Sequence, residues 1–338
     1  MRELYDEYLS ESPDLMPFYA APPSRLEESL PRPVAWDQML VREVRAYNER
    51  IGSGGAFDGT ELVVATGQQP GLFSGPLYTV YKAITCIMLA RQLEERSGTP
   101  CVPLFWVASE DHDFEEAATA HFLTKKDSPL SLTYAPQADV SGLPLYRVPL
   151  EGWIHEAIDA AVRDARKSEL TDEVAAFLHE SASASDSLCD WSARILARLF
   201  RDTPLILFVP HLPEARRLQA QIMELEIQNP LLSTQRLDQA GKSLSDKGFQ
   251  QQISKSGGEC NFFIEVEGRR RKVLHDGTHF VLPEEQISFT QKELQDILHA
   301  EPERFSANVA LRPVVQQHLF HAAAYVGGPA EIAYWGQL

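Results

Sequence analysis

The stretch 66–82, TGQQPGLFSGPLYTVYK, holds the first residues whose types and spacing suit chemistry. Gly67, Gly71 and Gly75 recur at every fourth position. Glycine accepts positive φ and lets a ligand approach the backbone. Pro76 suits the first position of a helix. A helix N-terminus offers unpaired N–H groups and the positive end of its dipole to an anion. Gln68 and Gln69 add polar reach. Tyr78 and Lys82 are four apart and share a helix face, so Lys82 is the candidate to meet a phosphate or carboxylate. The spacing matches neither the P-loop G-x-x-x-x-G-K-[ST] nor the dinucleotide G-x-G-x-x-G. A plain strand-to-helix turn would also use glycine here.

The second constellation is FWVASEDHDFEE, 105–116, where Glu110, Asp111, His112 and Asp113 follow an apolar run at once. Carboxylates there suit Mg²⁺, through Asp111 and Asp113, or a substrate ammonium, and His112 suits a general base. Acidic residues also favour the first turn of a solvated helix. A third, weaker set lies in 308–338: Arg312 before Pro313, and Gly328 and Glu331 around a Gly-Gly-Pro break. Tyr334 and Trp335 read as core. Lys255-Ser256 in ISKSGGE only faintly resembles the lysine loop of class I synthetases, and 269–272 (RRRK) reads as a solvated strand face.

These residues need elements to position them. The segment 61–66 (ELVVAT) predicts a buried strand, about 76–95 a helix with Val80, Ile84, Ile87 and Met88 on one stripe, and 101–108 a second buried strand. Strand, helix and strand within ~50 residues make a βαβ unit, hence a parallel sheet. Ligands bind outside the carboxyl ends of such strands, so the first two constellations face one crevice. Downstream, the patterns predict short strands and turns over 130–150 and helices over 154–180 and 186–201. They predict a third buried strand over 204–210 and a helix over 214–229. Three short antiparallel strands follow between 262 and 282, then helices over 293–299 and 313–325. The glycine run 52–55 ends an earlier helix, about 36–51, and reads as a flexible joint. The expected class is α/β, a parallel-sheet core with helical and antiparallel β inserts. The expected organisation is a helical arm (1–60), a core with a mainly helical insert around 130–200 (61–260), a small antiparallel β insert (261–300) and a return to the core (301–338).

Length and charge narrow the function. The 338 residues suggest about two domains at ~150 residues each, 44% of them hydrophobic and 23% charged. With 31 Lys plus Arg against 48 Asp plus Glu, the formal net charge is −17. Such a surface repels nucleic-acid backbones and anionic membranes, leaving room only for a local basic pocket. No run approaches the ~20 apolar residues of a membrane span, and the acidic start does not read as a signal peptide. Cys86, Cys101, Cys189 and Cys260 are widely spaced with no C-x-x-C pair. They read as buried free thiols in a reducing cytoplasm.

The three motifs, TGQQPGLFSGPLYTVYK, FWVASEDHDFEE and LRPVVQ…AYVGGPAEIAYW, in this order and spacing, resemble the BshC family, the cysteine-adding enzymes of bacillithiol biosynthesis. The resemblance covers nearly the whole chain. It implies a Rossmann-like core with connecting inserts, followed by a helical coiled coil that carries a homodimer contact. It also implies joining of cysteine to the amine of glucosaminyl-malate. The sequence stops at Leu338, inside the last motif, so the coil is expected to be missing. His321 stands where a proline is expected, and Gln250 where a histidine is. A carboxylate acylates an amine only once activated, so ATP or another nucleotide, with Mg²⁺, is expected. The implied roles are an anion cradle (Gly71, Gly75, Lys82), metal or ammonium contacts (Asp111, Asp113), a base (His112) and a contact to a second anion such as the malate carboxylate (Arg312). No H-x-G-H motif and no Cys/His zinc set accompany them. Two other readings stay open: a truncated pseudoenzyme that binds a nucleotide or sugar, and an unrelated nucleotidyltransferase.

Overall fold

The structure is a computed structural model that describes residues 3–338. The short helix α1 (Leu4–Leu9) leads through single-turn stretches to α2 (Gln38–Ile51). Then come β1 (Leu62–Gln68), α3 (Leu77–Ser97) and β2 (Cys101–Val107). A mixed segment follows: α4 (Phe114–Ala117), the hairpin β3 (Thr119–Leu123) and β4 (Pro129–Thr133), then α5 (Trp153–Asp164), α6 (Thr171–Ser183) and α7 (Leu188–Leu199). The chain returns as β5 (Ile206–Phe208), α8 (Pro213–Gln228) and α9 (Leu232–Asp246). Next are β6 (Glu259–Val266), β7 (Arg269–His275), β8 (Phe280–Leu282), β9 (Ile287–Phe289), α10 (Gln291–Ala300) and β10 (Phe305–Ala307). Last come α11 (Arg312–Phe320), β11 (Ala324–Val326) and α12 (Pro329–Trp335).

Among the described residues there are three sheets. One is parallel, in the order β11-β1-β2-β5; one is antiparallel, β10-β6-β7-β8-β9; the third is the β3–β4 hairpin. The α/β class with antiparallel β inserts is therefore the one observed. Side chains alternate across the parallel sheet. Val63, Ala65, Leu104, Trp106, Ile206 and Phe208 pack on one face with α8, α11 and the antiparallel sheet. Leu62, Val64 and Cys101 pack on the other with α3, beside Phe105, Val107 and Leu207 against α7. The free edge of β5 is closed by one amide. Asn48 accepts from the Leu207 N–H (2.9 Å) and donates to its carbonyl (2.8 Å), which removes a template for stray pairing. All four cysteines are free and buried, and burial pushes the Cys86 thiol up to about 12 and that of Cys101 to about 11.

Several expectations are corrected. The helix expected over 154–180 is two, broken between Asp164 and Thr171. The helix expected over 313–325 ends at Phe320 because His321 turns left-handed (φ 47°), and the next residues form β11. Helix α9 and strands β9 and β10 were not expected. The stripe on α3 meets the core only in part, through Val80 and Ile87. Ile84 and Met88 are 39% and 64% exposed, while the small residues Ala83, Cys86 and Ala90 let α3 sit close to the sheet. The glycine run is no flexible joint either. A Cβ on Gly54 would lie 2.0 Å from the Arg201 carbonyl oxygen, and one on Gly55 2.5 Å from that of Leu205. The run is pressed onto backbone, which only glycine permits. Gly54→Ala is expected to lower stability by about 2 kcal/mol through forced displacement, read as a lower midpoint in urea. An unchanged midpoint would mean the loop yields freely.

Candidate active-site crevice

The parallel register brings the carboxyl ends of β11, β1 and β2 level. Thr66 pairs with Val326, and Gln68 with Val107. Beyond these ends lie two adjoining cavities of about 360 and 340 Å³ that share Trp106, Ala108 and Arg312. The first runs under the antiparallel sheet and is lined by Glu110, Asp111, His112, Asp113, Lys255, Arg270 and Lys272. The second is lined by Gly67, Gln68, Gln69, Tyr78, Gly328 and Glu331. The sequence motifs thus meet at one crevice. Gly71 and Gly75 do not line it. They line a third cavity of about 350 Å³, reached by the same Gln68 and Gln69. The turn there holds Phe73 and Ser74 at positive φ (54° and 67°) and Gly75 at φ 81°, ψ −164°, a conformation essentially reserved for glycine.

Asp111 knots the two loops together. Its Oδ1 accepts from the backbone N–H groups of His112 and Asp113, and its Oδ2 from the Gln69 amide. Glu110 is turned inward and pairs with Arg216 at 2.6 Å. Burial raises the pKa of the Glu110 carboxyl. Asp113 stands exposed at the start of α4. Among the described residues no three His, Cys, Asp or Glu side chains converge as a metal cluster. With Asp111 already engaged, these residues do not make a metal cradle of their own.

Lys82 is placed differently from expectation. It is 3% exposed and lines neither cavity of the crevice. Its ammonium donates to the Gly67 carbonyl and to Glu331, and burial pulls its pKa down while Glu331 opposes that. Glu331 also accepts from the Gly328 N–H (2.9 Å) and the Tyr325 hydroxyl (2.6 Å). Lys82 therefore ties β1 to the first turn of α12.

Arg312 is the cation that faces both cavities. It donates to the Tyr334 hydroxyl (2.9 Å) and lies 5.4 Å from the Tyr325 ring centre. Among the described residues no carboxylate is within ion-pair distance of it. Three further cations come from segments set aside in the sequence: Lys255, Arg270 and Lys272. The β6–β7 hairpin delivers Arg270 and Lys272, and the loop between α9 and β6 delivers Lys255. Burial lowers the pKa of Lys255. Only pairing between distant strands puts these residues here. The one local signal was the density of basic residues over 269–272.

At the end of β5, His211 accepts or donates a 2.7 Å bond with the Ser109 hydroxyl and stacks on Tyr146. Burial, helped by Arg216, Arg50 and Arg147, holds its pKa down at about 3. It is neutral in the fold but titrates near 6.5 once unfolded. The unfolded chain then binds more protons below about pH 6.5, so stability falls as pH drops from there toward 3. Going from pH 7 to 5 should cost about 2 kcal/mol through this group. His211→Asn should flatten that part of the urea-midpoint profile. An equal slope in both proteins would assign the effect elsewhere.

No helix among the described residues is long and apolar enough to cross a membrane. The family model for the BshC N-terminal Rossmann-like domain of bacillithiol biosynthesis matches residues 1–338. Similar curated proteins named "Putative cysteine ligase BshC" come from Salinibacter ruber (35% identity, 83% of this chain, 51% of the relative), Bacillus cytotoxicus (31%, 89% and 57%) and Staphylococcus epidermidis (33%, 88% and 56%). The chain spans about half the length of the curated relatives it matches. With the motifs, the parallel sheet and the crevice in agreement, the chain belongs to the BshC family of bacillithiol biosynthesis and corresponds to its N-terminal Rossmann-like domain.

Proposed function

We propose that this chain carries the reaction crevice of a cysteine ligase, which joins the carboxyl group of cysteine to the amine of glucosaminyl-malate. The observation that carries this reading is Arg312, which lies within ion-pair distance of no carboxylate among the described residues, between a cavity lined by charges of both signs and a cavity rich in amide and hydroxyl groups. Arg312 suits a malate carboxylate in the first cavity, where Lys255 and Lys272 are both already bridged to Glu259. The second cavity, with Gln68, Gln69 and Tyr78, suits a small polar amino acid. The acyl group needs activation: the cysteine carboxylate oxygen attacks a phosphorus of ATP or another nucleotide, forming an acyl phosphate with release of the nucleoside diphosphate, or an acyl nucleotidylate with release of pyrophosphate. The sugar amine then attacks the acyl carbon, the activating group leaves with the bonding electron pair, and the amine loses a proton. Any Mg²⁺ arrives on the nucleotide's phosphates, as is usual for that ion.

The test is thiol profiling of the source organism with and without this gene. Loss of bacillithiol with build-up of glucosaminyl-malate is the expected result. Unchanged bacillithiol in a host that makes it would overturn the assignment for this chain.

A further inference from the structure

Arg270 is held so that one of its Nη groups faces His112. Its Nε donates to the Ser306 hydroxyl (2.9 Å) and one Nη to the Ala307 carbonyl (2.6 Å). Its guanidinium stacks 3.8 Å from the centre of the Phe263 ring. The other Nη lies 3.3 Å from Nδ1 of His112. Arginine has donors only and keeps its proton. The partner nitrogen must therefore be an acceptor, which leaves Nδ1 bare and puts the imidazole proton on Nε2. Phe263 also meets the His112 ring edge-on at 5.4 Å, which limits reorientation. Asp111, whose nearer oxygen is 4.0 Å from Nδ1, is too far to take a proton from that nitrogen. The other charges around the ring are Asp113 and, from β7, Arg271. Among the described residues no protein atom hydrogen-bonds Nε2, and His112 lines the first cavity.

We propose that Arg270 is a positioning residue that fixes His112 as the neutral Nε2–H tautomer, so that His112 donates a hydrogen bond to the acyl oxygen rather than removing a proton from the amine. This rests on the ligase reading for its substrate. A tetrahedral acyl intermediate gathers negative charge on that oxygen, and one such donor is typically worth ~10²–10³-fold in rate. A base at Nε2 would need the opposite tautomer, with Nδ1–H driven against the fixed guanidinium.

The experiment has two arms. Two-bond ¹H–¹⁵N spectra of the histidine-labelled chain at pH 7 report which ring nitrogen carries the proton, and His112→Gln identifies the signals by their loss. The Nε2–H pattern is expected, with tautomer exchange appearing in Arg270→Met. If Arg270→Met fails to fold, Arg270→Lys, which keeps a donor, should preserve the pattern. A wild-type Nδ1–H or imidazolium pattern would overturn the proposal whatever the reaction proves to be. In cysteine ligation, His112→Gln, which keeps a donor near Nε2 but cannot act as a base, should stay within ~10-fold of wild type. His112→Ala should lose ~100-fold or more. Equal loss in both would overturn the donor role. A wild-type chain that forms no product would count against the ligase reading, and the spectra would still decide the tautomer.

Discussion

Glu331→Leu is expected to destabilise the fold by about 4 kcal/mol, because it strands the ammonium of Lys82 in a site that is 3% exposed. That ammonium has two outcomes. It can stay charged with the Gly67 carbonyl and, more distantly, the Gln68 amide oxygen at 3.4 Å. Or it can give up its proton, which at pH 7 costs about 4–5 kcal/mol for an amine of ordinary basicity. Either route lowers the melting midpoint by on the order of 8 °C. The reverse change, Lys82→Met, should cost less. Glu331 keeps its bonds from Gly328 and Tyr325 and is more exposed, at 21% of its side chain. The double variant should recover most of the loss, since replacing both partners of a buried pair is often close to neutral. A midpoint unchanged in Glu331→Leu would show that the pair holds nothing together.

Arg312→Met should lower kcat/KM for ligation by roughly 100-fold, with the melt little changed. In the fold Arg312 makes one hydrogen bond to Tyr334 and one ring contact to Tyr325, and neither neighbour depends on it for burial. Its remaining donors face the cavities. Truncating one partner of a desolvated charged hydrogen bond typically costs 2–5 kcal/mol, and each 1.4 kcal/mol is tenfold. The loss should fall on KM for the dicarboxylate substrate and spare that for cysteine. Calorimetry with malate alone as the probe gives a second reading, with binding lost in the variant. A change below threefold in both would remove Arg312 from substrate contact.

The parts of the fold that could be read from sequence are those where burial is local. β1 and β2 are continuous apolar runs because both faces of a parallel strand are covered. α3 begins after a proline and ends at Gly98, so its bounds were readable within two residues. β11 was not, since Ala324, Tyr325 and Val326 continue an alanine-rich stretch that suits a helix equally well. Only the left-handed turn at His321 and the open edge of β1 make it a strand. α9 carries Gly241 within a polar sequence, and its helix survives because tertiary contact overrides weak propensity. At the crevice, the two motifs at the ends of β1 and β2 were readable because adjacent strands of one βαβ unit align their ends. Lys255, Arg270 and Lys272 were not, because they enter from an antiparallel sheet and the loop before it, whose placement no local pattern encodes. The inward turn of Lys82 followed from Glu331, a partner 249 residues away.

That β11 lies beside β1 has a consequence for the newborn chain. The Thr66 hydroxyl bonds the Val326 carbonyl across 260 residues of sequence. At ribosomal speeds of ~5–20 residues per second, Val326 is made on the order of tens of seconds after Thr66. For that interval β1 can pair with β2 but presents its other edge bare, and the amine of Lys82 waits without its carboxylate. Bare strand edges recruit foreign strands. The nascent polypeptide is therefore open to aggregation throughout the interval between the synthesis of Thr66 and that of Val326. Silent codon changes that slow the ribosome between residues 209 and 324 should lower the soluble yield without altering a single side chain.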